Sequence, residues 1–124
     1  MSTATGKDPA LDTLLARAAE AYGTPAYVYL GDRIDARIDT LKTGFGSRFS
    51  LSYAAKSNPN PTLLSFLESR VENLDISSIG EMRLGLRAGW TADRMSFTGP
   101  AKRDAEIGEA VASGVGEMIV ESLD

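Results

Sequence analysis

Apolar positions recur along the chain with two periods, and the places where one gives way to the other divide it into elements. Leu11, Leu14, Leu15, Ala18 and Ala19 follow helical spacing. Asp8 suits an N-cap and Pro9 a first helical position, so the pattern predicts a helix over 9–22 that stops before Gly23. Thr24-Pro25 breaks it, and the β-branched and aromatic run 26–30 reads as a short strand. Ile34, Ile38 and Leu41 then predict a second amphipathic helix over 32–43, closed near Gly44 and Gly46.

From there the pattern becomes regular. Strand-like runs centred on Tyr53, Asp75, Phe97 and Ile119 recur every 22 residues. Helical patterns fill the gaps: Leu63, Leu64 and Leu67 after Pro61; Met82, Leu84 and Leu86 before Gly89; Ile107, Ala110 and Val111 before Gly114. Strand and helix in strict alternation imply parallel strands joined by right-handed crossovers, in a doubly wound sheet or a (β/α)8 barrel. A full barrel takes about 250 residues, so on the barrel reading this α/β chain is an amino-terminal half. The core-strand run Met118-Ile119-Val120 lies close to the last residue, Asp124, and the expectation is a truncated chain. The expected domains are 1–31, a helix and a strand, and 32–124, the first half of a barrel.

Composition narrows the chemistry. The 124 residues hold 13 Lys and Arg against 17 Asp and Glu, a net charge of −4, with the basic residues scattered, so nucleic acid is not an expected partner. With 43% hydrophobic residues the chain can bury a core. It contains no cysteine and no histidine, which removes disulfides, thiolate nucleophiles, Ser-His triads and imidazole metal sites from this stretch. No segment reads as a signal peptide or a membrane span, and the expectation is a soluble, cytoplasmic protein without membrane partners or a bound metal. No glycine-rich phosphate loop of the GxGxxG or GxxxxGK[ST] type occurs.

In parallel α/β folds function gathers at the carboxyl ends of the strands. Lys56 stands at such an end, after a strand of mostly small side chains. A partly desolvated lysine there loses some preference for its charged form and can act as an amine nucleophile. The alternative is a lysine that extends to solvent from a strand end. Lys102, after Gly99-Pro100, reads as a solvated loop cation, and Tyr53 and Phe97 read as core residues.

Tyr53-Ala54-Ala55-Lys56-Ser57-Asn58 resembles the cofactor-lysine motif of the fold-type III pyridoxal-phosphate decarboxylases, the diaminopimelate and ornithine decarboxylase group. The stretch Leu74-Asp75-Ile76-Ser77-Ser78-Ile79-Gly80-Glu81 is similar to that family's second-strand motif. Ala88-Gly89, the segment from Arg94 to Lys102, and Gly114-Val115 followed by Ile119-Val120-Glu121-Ser122 match its next two units in order. Thr24-Pro25-Ala26-Tyr27-Val28-Tyr29 resembles the strand before the barrel, which belongs to the family's second β domain.

The resemblance implies pyridoxal 5'-phosphate held by Lys56 as a Schiff base, with Asp75 and Glu81 near the cofactor. It implies decarboxylation of an amino acid of the diaminopimelate, ornithine or arginine type, in a homodimer, with the cofactor as electron sink. Glu81 has a second reading, because Ser78 and Glu81 have the spacing of a capping box. Asp75, in mid-strand, calls for a partner such as Lys56 or a later residue.

The family's ring-stacking histidine, glycine-rich phosphate cradle, pyridinium-binding glutamate and cysteine-containing acid-base segment have no counterpart here, and Ser57 stands where Ala or Cys is commoner. The fragment alone is therefore expected to be inactive. Ser57-Asn58-Pro59-Asn60 favours the decarboxylases over the racemases of the same fold type. An amino-acid racemase and a non-catalytic binding protein are the alternative readings.

Overall fold

Four parallel strands in sequential order, β1 (Ser52–Ala54), β2 (Asn73–Ile76), β3 (Met95–Phe97) and β4 (Glu117–Met118), form the sheet on which the molecule is built. The computed structural model describes residues 8–122, so the polar segment 1–7, with Lys7, and the last two residues lie outside the described part. The helices are α1 (Pro9–Tyr22), α2 (Gly31–Phe45), α3 (Pro61–Glu68), α4 (Ile79–Arg87) and α5 (Asp104–Ala112). Contacts divide the chain into two compact units, one up to Ile34 and one from Asp35 onward.

In the first unit α1 starts as its sequence predicts. Asp8 Oδ1 accepts from the backbone N–H groups of Ala10 and Leu11, both at 3.2 Å, which satisfies two of the free donors of the first turn. Arg33 pairs with the same carboxylate at 3.3 Å. The expected strand over 26–30 does not form. A strand exists only where a neighbour shares its ladder, and among the described residues none pairs with this run, so Tyr27 and Tyr29 stand exposed.

In the second unit the sheet has a strict register. Tyr53 lies opposite Leu74, and Leu74 opposite Met95; on the other face Ala54, Asp75, Ser96 and Glu117 stand in line. Partners are 21 residues apart. The spacing of 22 expected from the apolar runs differs because those runs extend past the hydrogen-bonded ladder: β4 is Glu117–Met118, not a strand centred on Ile119.

Alternation along the strands sends Leu74, Ile76, Met95 and Phe97 to one face, where all are buried. Helix α4 closes on this face at Gly85, where an added Cβ would come within 2.7 Å of Leu74 Cδ2 and 2.8 Å of Met95 Cε. Trp90 is also buried and donates its indole N–H to the Leu64 carbonyl at 2.9 Å, so its one polar group is satisfied.

Arg94 fastens the amino-terminal side. It pairs with Glu68 at 2.5 Å, donates to the carbonyls of Glu68, Val71 and Glu72, and lies 4.6 Å from the centre of the Trp90 ring. Glu72 makes a second tie. It pairs with Lys42 at 2.7 Å and accepts from the Leu51 N–H at 2.8 Å, joining α2 to the start of β1. Among the described residues no helix is long and apolar enough to cross a membrane.

Candidate active site

The carboxyl ends of the four strands carry the loops that sequence reasoning singled out. After β1 the backbone turns through a 3-10 turn, Ala55–Ser57, with Lys56 at its centre. Ala55 is wholly buried and anchors the turn, while Lys56 is exposed. The Tyr53 hydroxyl donates to the Asn58 carbonyl at 3.1 Å across this turn. Asn58 Oδ1 accepts from the Asn60 N–H at 3.0 Å, and Asn60 caps α3 through the Thr62 N–H at 2.9 Å. The segment holding Lys56 is thus tied at each end. Among the described residues the Lys56 amine makes no ion pair or hydrogen bond.

Asp75 lies in β2 opposite Ala54, on the face away from Leu74 and Ile76. It is half-buried, and the contact to its carboxylate is the Ser96 hydroxyl, at 3.5 Å from Oδ1. The later-residue partner expected for it is therefore Ser96, and no ion pair joins Asp75 to Lys56. A contact of that length is weak, so the carboxylate keeps most of its accepting capacity.

Glu81 sits in the first turn of α4 and closes the loop after β2. Its Oε2 accepts from the Ser77 N–H at 2.7 Å, and its own N–H donates to Ser78 Oγ at 3.1 Å. This is the capping arrangement that the Ser78 and Glu81 spacing predicts, with the carboxylate reaching one residue further back than the cap itself.

Lys102 corrects the sequence reading. It is half-buried, not a solvated cation: its ammonium donates to the Gly99 carbonyl and, at 2.9 Å, to the Ile119 carbonyl, and lies 5.5 Å from the centre of the Phe97 ring. The loop is shaped for this contact. Gly99 has φ 93° and Ala101 φ 58°, both left-handed, which bends the chain sharply after β3 and returns the lysine over the strand end. The Gly99-Pro100 pair signals a turn; nothing in sequence signals that the lysine's acceptor is 17 residues away.

The same sheet face has a concavity of about 240 Å³ at its opposite, amino-terminal end, lined by Ser52, Asn73, Arg94, Ser96 and Glu117. It does not reach Lys56. The chemistry-bearing end is therefore an open rim of four loops carrying an unpaired amine, a half-buried carboxylate and the starts of α3, α4 and α5.

The family described as "Pyridoxal-dependent decarboxylase, pyridoxal binding domain" matches residues 31–124. The chain belongs to this family. Among its pyridoxal-dependent decarboxylase relatives, the diaminopimelate decarboxylase of Deinococcus radiodurans is 37% identical over 103 residues, which are 83% of this chain and 26% of that protein.

Solved structures agree. Diaminopimelate decarboxylase from Helicobacter pylori complexed with L-lysine superposes with a TM-score of 0.77 at 34% identity, covering 87% of this chain and 28% of that one. Lysine/ornithine decarboxylase from Vibrio vulnificus complexed with cadaverine gives a TM-score of 0.86 at 29% identity, covering 95% and 32%. The sheet is thus similar to the start of the barrel in this decarboxylase family, and the chain spans about a quarter of the length of the curated relatives it matches.

The residues fit the family's cofactor. An unpaired primary amine on a short, fixed turn is the group an aldehyde requires, and the other described lysines, Lys42 and Lys102, have their amines engaged by Glu72, Arg70, Gly99 and Ile119.

Proposed function

We propose that this chain is the lysine-bearing portion of a pyridoxal-phosphate-dependent amino-acid decarboxylase and that Lys56 holds the cofactor through Nζ. The observation that carries the proposal is the free Lys56 amine at the carboxyl end of β1 in a chain of this family. When bound, pyridoxal phosphate supplies an electron sink for the pair left by departing carbon dioxide.

The chain's own residues contribute positioning and charge. Lys56 supplies the amine nucleophile and is set in place by its turn. Asp75, two residues below that level on the neighbouring strand, presents a half-buried carboxylate that favours positive charge above it. Glu81 acts at one remove: it fixes the β2–α4 loop through the Ser77 N–H and leaves the first turn of α4 facing the rim.

The substrate class is a basic amino acid or diaminopimelate, as in the names of the relatives. A homodimer, a cytoplasmic setting and the boundary between a 1–31 segment and a 32–124 barrel portion complete the proposal. The test is carbon dioxide release by the complete polypeptide carrying this chain, supplied with cofactor and, in turn, diaminopimelate, lysine, ornithine and arginine. Release from one of them, abolished by Lys56→Ala, is the expected result. Racemisation without carbon dioxide, or release that survives Lys56→Ala, would overturn it.

A further inference from the structure

Tyr53 reads in sequence as a core residue, yet its hydroxyl does something a core ring would not require. It spans the turn that carries Lys56 and donates to the carbonyl of Asn58, 3.1 Å away, on the far side of the lysine. We propose that Tyr53 is a positioning residue for Lys56, acting through this bond to hold the 3-10 turn closed. The proposal rests on the reading of Lys56 given above and deepens it.

The physical need is plain. A three-residue 3-10 turn has poor internal hydrogen-bond geometry and does not persist unaided. The strand before it, β1, is only three residues long and so cannot impose direction on the turn. Ala55, wholly buried, pins the entry. The exit is pinned by Asn58, whose carbonyl takes the Tyr53 hydroxyl and whose side chain takes the N–H of Asn60, the residue that caps α3.

Tyr53 therefore links the strand to the helix start across Lys56. Its ring sits in the register position of Leu74 and Met95, the helix-covered face, so the hydroxyl reaches the loop from a packed base. Tyr53→Phe keeps the ring and removes the hydroxyl that reaches Asn58.

The experiment compares the full chain with Tyr53→Phe and with Ser65→Ala, which deletes a hydroxyl-to-carbonyl bond of the same kind, Ser65 Oγ to Ala88 O at 2.9 Å, away from the turn. Two quantities are read: amide hydrogen exchange over 55–58, and the ratio of pyridoxyl label at Lys56 to that at Lys42 and Lys102 after incubation with pyridoxal phosphate and borohydride reduction. Loss of one such bond predicts about fivefold faster exchange in the turn and a similar fall in the labelling ratio for Tyr53→Phe. Ser65→Ala should leave both at their wild-type values.

Wild-type exchange and labelling in Tyr53→Phe, or equal effects from the two variants, would overturn the positioning role while leaving Lys56 as the cofactor residue. Absence of selective label at Lys56 in the wild-type chain would overturn the reading of Lys56, and the inference with it.

Discussion

The ammonium of Lys102 donates to the carbonyl of Ile119 at 2.9 Å, fastening the loop after β3 to the chain that leaves β4. Lys102→Met keeps the length of the stem but removes the donor from this carbonyl and from that of Gly99. The expected cost is about 1–3 kcal/mol in urea unfolding, the usual range for hydrogen bonds made by a charged group. Amide exchange at 117–119 should rise with it. A loss under about 0.5 kcal/mol would mean that water replaces the amine at both carbonyls.

Three glycines to alanine give an ordered series. A Cβ at Gly116 would stand 2.1 Å from the Asp93 carbonyl oxygen, so backbone must move and the loss should exceed about 3 kcal/mol. At Gly85 the obstacles are the ends of the Leu74 and Met95 side chains, which can shift, and the loss should be about 1–2 kcal/mol after the gain in helix propensity. Gly108, within α5, has nothing within 4 Å, and alanine there should stabilise by about 0.5–1 kcal/mol. Denaturant midpoints in any other order would contradict this packing.

Acid sensitivity should trace to Glu72. The hydrogen bond from Lys42 is the largest influence and holds its carboxyl below the ordinary value of 4.5; burial opposes it, and the Leu51 N–H adds to the lowering. A carboxyl whose folded pKa is depressed adds stability that is fully present above its unfolded pKa and lost as pH falls through the folded one. Glu72→Gln should therefore flatten the pH dependence of stability from about pH 4.5 downward, and leave its slope at neutral pH unchanged. Both partners are about half exposed, so added salt should shrink the difference. An unchanged acid limb in Glu72→Gln would mean that other carboxylates set the acid sensitivity.

What is legible in sequence is what is local. The Asp8 cap, followed by proline, and the Ser78 and Glu81 pair act within a few residues and form as read. The alternation of strand and helix is legible in the middle of the sheet because β2 and β3 bury every second side chain. The run 26–30 misleads because propensity does not supply a ladder partner. The register of 21 is hidden because apolar side chains continue past the last paired residue of β4.

At the candidate site, Lys56 is found by its position at a strand end, and Glu81 by its spacing. The environment of Lys102 is not readable, since the left-handed Ala101 and the carbonyl of Ile119 come together only in three dimensions. Sequence reads Tyr53 for its ring; its hydroxyl finds a backbone carbonyl, an acceptor that no side-chain pattern reveals.

The most direct test of the central claim is to locate the lysine that takes the cofactor. The chain has four, Lys7, Lys42, Lys56 and Lys102, and after incubation with pyridoxal phosphate, borohydride reduction and digestion each can be read by mass. The expected result is the pyridoxyl mass on Lys56, in clear excess over Lys42 and Lys102, whose amines are already held by carbonyls or a carboxylate. Equal labelling of all four lysines, or label on the others with Lys56 unmodified, would contradict it.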